Sequence, residues 1–193
     1  MTEPSVAAAT RIVLDHEIPV AGTWAIDPAH QDFAFLARHL MVTRVRGSFT
    51  EVSGTIELAE DPTESTVEII LQAASVDTGN PERDEHLRSP DFFDVATYPE
   101  IRFRSTSIQP NEDRWTVTGD LAVRDAIHPV TLTVEFLGVA IDPWGNPKAG
   151  FSASGELNRE DWGLTWNVPL ETGGVLVSKM IQLDIEAQLK PAD

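Results

Sequence analysis

Ile181-Gln182-Leu183-Asp184-Ile185-Glu186-Ala187-Gln188-Leu189 alternates apolar and polar side chains without a slip. Successive side chains of a β-strand point to opposite faces, so this stretch is a strand with one dry and one wet face. A helix would place its apolar residues three and four apart instead. The same period of two sets Val67, Ile69 and Leu71 on one face of Thr66 to Gln72. It puts Trp115, Val117, Leu121 and Val123 on one face of Arg114 to Arg124. Val130, Leu132, Val134 and Phe136 alternate with Thr131, Thr133 and Glu135. Strands dry on one face are those of antiparallel sheets.

Two further segments, Thr23 to His39 and Val45 to Leu58, exceed the usual strand length. Bends at Asp27-Pro28 and at Val52-Ser53-Gly54 would let each serve as one long curved strand. With Ile101 to Ser107 and Lys148 to Leu157 the set comes to about eight strands. Turn-like stretches separate them: Glu60-Asp61-Pro62, Gln109-Pro110-Asn111, Asp142 to Pro147, and Thr172-Gly173-Gly174. Short connections make chain neighbours into sheet neighbours, so the expected fold is all-β, a single eight-stranded antiparallel up-and-down barrel. One interval breaks the pattern. Asn80-Pro81 opens a polar run with an N-cap residue and Pro at the first helical position, and Ser89-Pro90 repeats that opening. A small helical insert near residues 81-94, with a second helical turn after Ser89, is expected there.

The chain has 193 residues, enough for one domain with a proper core and too few for two ordinary ones. Lys and Arg sum to 14 and Asp and Glu to 31, a net charge of −17 that repels phosphate backbones and anionic lipid headgroups alike. Nucleic acid is therefore not an expected partner. With no cysteine, thiolate catalysis, disulfides and cysteine-ligated metals are excluded. No apolar run approaches the ~18 residues of a membrane-spanning helix. The opening residues lack a basic segment followed by an apolar one, so the chain reads as cytoplasmic, with residues 1-20 an arm that is disordered or packs Ile12-Val13-Leu14 on a neighbour.

An eight-stranded barrel has an interior just wide enough for packed side chains or for one small ligand. Apolar strand faces suit both, and so two interiors remain open: a solid core, or a greasy tunnel capped by the insert through Leu87, Phe92 and Phe93. None of His16, His30, His39, His86 and His128 forms an HExxH or another close metal pair, and there is no P-loop or GxGxxG.

An ordered set of motifs resembles the YceI family of lipocalin-like, polyisoprenoid-binding proteins. It comprises Trp24-Ala-Ile-Asp27-Pro-Ala-His30, Phe35-Leu-Ala-Arg38-His39, Val45-Arg46-Gly47-Ser-Phe49, Ser75-Val-Asp-Thr78-Gly79, Arg83-Asp84-Glu-His86-Leu87, Asp91-Phe92-Phe93-Asp94, Tyr98-Pro99, and Leu157-Asn158-Arg159-Glu-Asp161-Trp162-Gly163. The resemblance spans roughly Gly22 to Leu189. Two departures concern turns: Gln31 stands where the family usually has Ser, and Arg124-Asp125 stands where it has Arg-Gly. The resemblance implies a tunnel for a long isoprenoid or fatty lipid, a frequent homodimer, no catalytic machinery and no cofactor or metal beyond that bound lipid. Expected ligand-binding residues are Phe33, Phe35, His39, Phe49 and Leu71, then Leu87, Phe92 and Phe93 on the insert, then Phe103, Leu121, Phe151, Trp162 and Trp166. Which face of residues 31 to 40 points inward is open, because Ala34, Leu36 and Leu40 make the other face nearly as apolar. Two rival functions are an enzyme using His39 or the Arg83/Asp84/His86 cluster, and a stress or scaffold protein with a solid barrel. The cluster also has a structural reading, as ion pairs pinning the insert to the rim.

Overall fold

The computed structural model describes residues 9–40, 42–170 and 175–192. The turn expected at Thr172-Gly173-Gly174 lies outside them. A small hairpin of β1 (Thr10–Val13) and β2 (His16–Pro19) precedes the barrel strands. These are β3 (Gly22–His39), β4 (Thr43–Phe49), β5 (Val52–Leu58), β6 (Thr66–Gln72) and the two-residue β7 (Val76–Asp77). After the helix α1 (Pro81–Arg88) come β8 (Glu100–Asn111), β9 (Arg114–Val123), β10 (Ala126–Ile141), β11 (Pro147–Asn158) and β12 (Met180–Pro191).

Each barrel strand pairs antiparallel with its neighbours, and β12 closes on β3 from Gln182↔Leu36 to Pro191↔Trp24. Counting β4 and β5 as one stave, the result is a closed eight-stranded barrel. Closure leaves no long free edge to recruit another chain. β3 holds the barrel together along both sides: its first residues pair with β5 and its last with β4. The bend expected at Asp27-Pro28 is a bulge. Between Ile26↔Leu189 and Gln31↔Ala187, residues 27–30 of β3 oppose Gln188 alone.

The other expected bend falls elsewhere. The stave breaks at Thr50-Glu51, where the Thr50 N–H donates to Ser75 O and Glu51 O accepts from the Gln72 N–H. Gly54 lies within β5 because a Cβ there would come 2.6 Å from Ile69 Cδ1 and 2.7 Å from the Glu68 carbonyl. Gln109-Pro110-Asn111 is strand rather than turn, and the hairpin turns on Glu112-Asp113. Pro110 is tolerated because β6 has already ended on that side, leaving no ladder bond for it to miss. After α1, Ser89 to Thr97 continues in hydrogen-bonded turns, not a second helix, with Asp94 N–H reaching back to Ser89 O. The described part of the N-terminal arm is no free tail. It turns on Leu14 and Asp15, both at positive φ, and buries Ile18 in the barrel end while His16 lies 5.0 Å from the Trp115 ring.

Large side chains lie over glycines on the neighbouring, paired strand. Phe103 lies over Gly119, where a Cβ would run into its Cζ and meet the Arg104 carbonyl at 2.5 Å. Gly119→Ala is expected to cost about 1–3 kcal/mol through this overpacking. A urea titration checks it: the midpoint falls with unchanged slope, whereas an unmoved midpoint would show that Phe103 swings aside freely.

Candidate functional site: an apolar cavity along the barrel axis

The inner wall of the barrel is more tightly covered on some strands than on others. Ile69, Leu71, Ile101, Phe103 and Val117, on β6, β8 and β9, are buried. On β12 the inward residues Ile181, Leu183, Ile185 and Ala187 line the interior yet remain partly accessible, while their outward neighbours are exposed. Apolar side chains that face the inside of a closed barrel and still have open surface are the wall of a void. That void measures about 350 Å³, within the size range of small-molecule sites. It runs from Ile18 and Pro19 of the hairpin to Leu87, Phe92 and Phe93 of the α1 segment.

The inward face of β3 carries Phe33, Phe35 and Ala37, and Leu36 does not reach the void. Phe49, Leu71, Phe103, Leu121, Phe151 and Trp162 also line it. Trp162 is fixed there by its Nε1–H, which donates to Leu121 O at 2.8 Å. Two expected residues lie outside. His39 shares parity with Phe35, but at that point β3 has run past the rim, where His39 pairs with Thr43 and bridges to Val177. Trp166 packs on the outer side of the cap, 4.5 Å from the His86 ring and 5.5 Å from Phe92.

The cap is a built object. Asn80 Oδ1 accepts from the Arg83 N–H at 3.0 Å, starting α1. Asp84 is buried and accepts from the Thr78 N–H, and Thr78 Oγ1 donates to it as well. Arg83 Nε donates back to Thr78 Oγ1 at 2.7 Å and Nη2 to Thr78 O at 2.8 Å. Arg88 secures the other flank through the carbonyls of Ala74 and Val76. His86 faces Asp91 at 2.9 Å. Arg83 and Asp84 thus direct their polar atoms at the Thr78 segment and hold the lid.

Arg159, just past the end of β11, is the one charged side chain among the described residues that line the void. It opens a single 3-10 turn, Arg159–Trp162, that ends on Gly163 in the left-handed region (φ 72). Its Nε donates to Ser178 O at 2.9 Å and its Nη1 to Leu164 O. Desolvation holds the guanidinium below its ordinary pKa, with Glu160 opposing weakly. Among the described residues no group of three His, Asp or Glu side chains is placed to hold a metal, and no helix is long and apolar enough to cross a membrane.

Fold and site together define the class, an antiparallel barrel binding protein whose capped interior is an apolar cavity. Residues 24–189 match the YceI-like domain, and the chain belongs to that family. It is 35% identical over 159 residues to protein YceI of Escherichia coli O157:H7, covering 82% of this chain and 80% of that one. The crystal structure of the Campylobacter jejuni YceI protein superposes with a TM-score of 0.69 at 28% identity, over 81% of this chain and 90% of the other. A polyisoprenoid binding domain from Saccharophagus degradans shares the fold (TM-score 0.64, 14% identity, 90% of this chain and 100% of that one).

Proposed function

We propose that this barrel sequesters or carries one long apolar molecule, a polyisoprenoid or related linear lipid, without chemical change. The observation that carries this reading is the open inner wall of β12, where apolar side chains face a void rather than a neighbour. Family membership and the name of the Saccharophagus degradans domain point the same way. The driving force is desolvation. Ten buried methylenes contribute about 8 kcal/mol before the cost of association, a gross affinity of about 1 µM with no polar contact at all. Extended molecules suit a void that runs from the hairpin to the lid. The reading includes a homodimer, for which exposed Ile12 and Leu14 offer apolar surface.

Native mass spectrometry of the purified protein, followed by organic extraction, tests both parts. One long-chain lipid per subunit on a doubled mass is the expected spectrum. A bare subunit mass that persists after incubation with prenyl and fatty chains would sink the carrier reading.

A further inference from the structure

Arg159 is 4% exposed, and its Nη2 has no hydrogen-bond partner among the described residues. A guanidinium presents five N–H donors. Its two acceptors, the Leu164 and Ser178 carbonyls, are neutral, so neither of these hydrogen bonds goes to a carboxylate. Glu160, the adjacent carboxylate in sequence, pairs with Lys179 at 2.9 Å instead. Among the described residues no carboxylate lines the void, and the lining hydroxyl, Ser65, accepts from the Ala59 N–H. A buried guanidinium with an unpartnered N–H and no carboxylate bonded to it is a costly arrangement, and an oxyanion from outside the chain would relieve it through a charge-assisted hydrogen bond.

We propose that Arg159 is the anchor for the polar end of the ligand, and that the preferred ligand is an amphiphile with an oxyanion head, a carboxylate or a phosphate, on a long apolar tail. Resting on the carrier reading above, this adds an orientation: head under the lid beside Trp162 and Leu164, tail along β12 towards Ile18. Surface charge works against such ligands at a distance, since the net charge is −17. At 0.15 M salt that field is screened beyond about 8 Å, and the local contact decides.

The test uses full-length, delipidated protein at pH 8 and 0.15 M salt, with two matched pairs: oleate against oleyl alcohol, and farnesyl phosphate against farnesol. The expected result is that the oxyanion of each pair binds at least about tenfold tighter, and that Arg159→Gln removes the difference. Preference confined to one pair identifies whether the head is carboxylate or phosphate. Equal affinity within both pairs overturns the anchor but leaves the carrier reading standing, whereas no binding by any probe overturns the carrier reading itself. A preference that survives in Arg159→Gln also overturns the anchor. Should that variant not fold, carboxyl-labelled oleate on the unaltered protein decides by NMR. A head against Arg159 titrates below the free acid, and a head in an apolar interior without a cation titrates above it.

Discussion

Ala153→Phe is expected to abolish uptake of a long apolar chain while leaving stability within about 1 kcal/mol of the parent. Ala153 lies on β11 between Val134 and Ile185 and lines the void. An added ring there enters the void instead of displacing a packed neighbour. In a filled core the same change would force off-rotamer side chains and cost about 1–3 kcal/mol. The two readings of the interior thus separate in one variant, scored by a urea midpoint and by titration with a fluorescent fatty acid. Lost binding with an unchanged midpoint supports the cavity. A lowered midpoint of the size expected for Gly119→Ala would mean that the barrel is solid there, and retained binding would place the ligand elsewhere.

The strands were legible because their pattern is local. On β12 every outward residue from Met180 to Gln188 is exposed and every inward one is less so, and that alternation needs no knowledge of the partner strands. The cap was legible for the same reason, since Asn80 and Pro81 carry the helix start in two adjacent residues. The void was not legible, because a filled interior and an empty one have the same lining. What separates them is how far Leu183 and Ile185 stand from the opposite wall. His39 shares parity with Phe33 and Phe35, but parity says neither which face is inside nor where a strand leaves the barrel. Arg159 becomes buried only when β12 closes the barrel and brings Ser178 to it, 19 residues along the chain. The wider separation of 121 residues between Asp27 and Lys148 hides their pairing from any sequence window.

That pair supports the second large expected effect. Asp27 sits at the bulge of β3 with a side chain only 11% exposed, and Lys148 Nζ donates to its Oδ2 at 2.7 Å. The Ala29 N–H at 3.2 Å and the His30 ring at 3.3 Å complete its partners, so one carboxylate both shapes the bulge and ties it to β11 across β12. The Lys148 hydrogen bond is the main reason that the Asp27 carboxyl is lowered from 3.8 to about 2, against the opposing effect of burial. A carboxyl lowered on folding stabilises the protein above its unfolded pKa and loses that contribution as pH falls through the folded one. The difference between 3.8 and about 2 corresponds to about 2 kcal/mol, present at neutral pH and lost between about pH 4 and pH 2. Asp27→Ala also strands a half-buried ammonium, so its cost at pH 7 is expected to reach about 3 kcal/mol. Urea midpoints for parent and variant should converge as the pH is lowered to 2. Asp27→Ala/Lys148→Met should recover most of the loss, because removing both partners leaves no unpaired charge. A midpoint for Asp27→Ala within about 0.5 kcal/mol of the parent at pH 7 would show that water already shields the pair, and that the β3 bulge is held by its backbone alone.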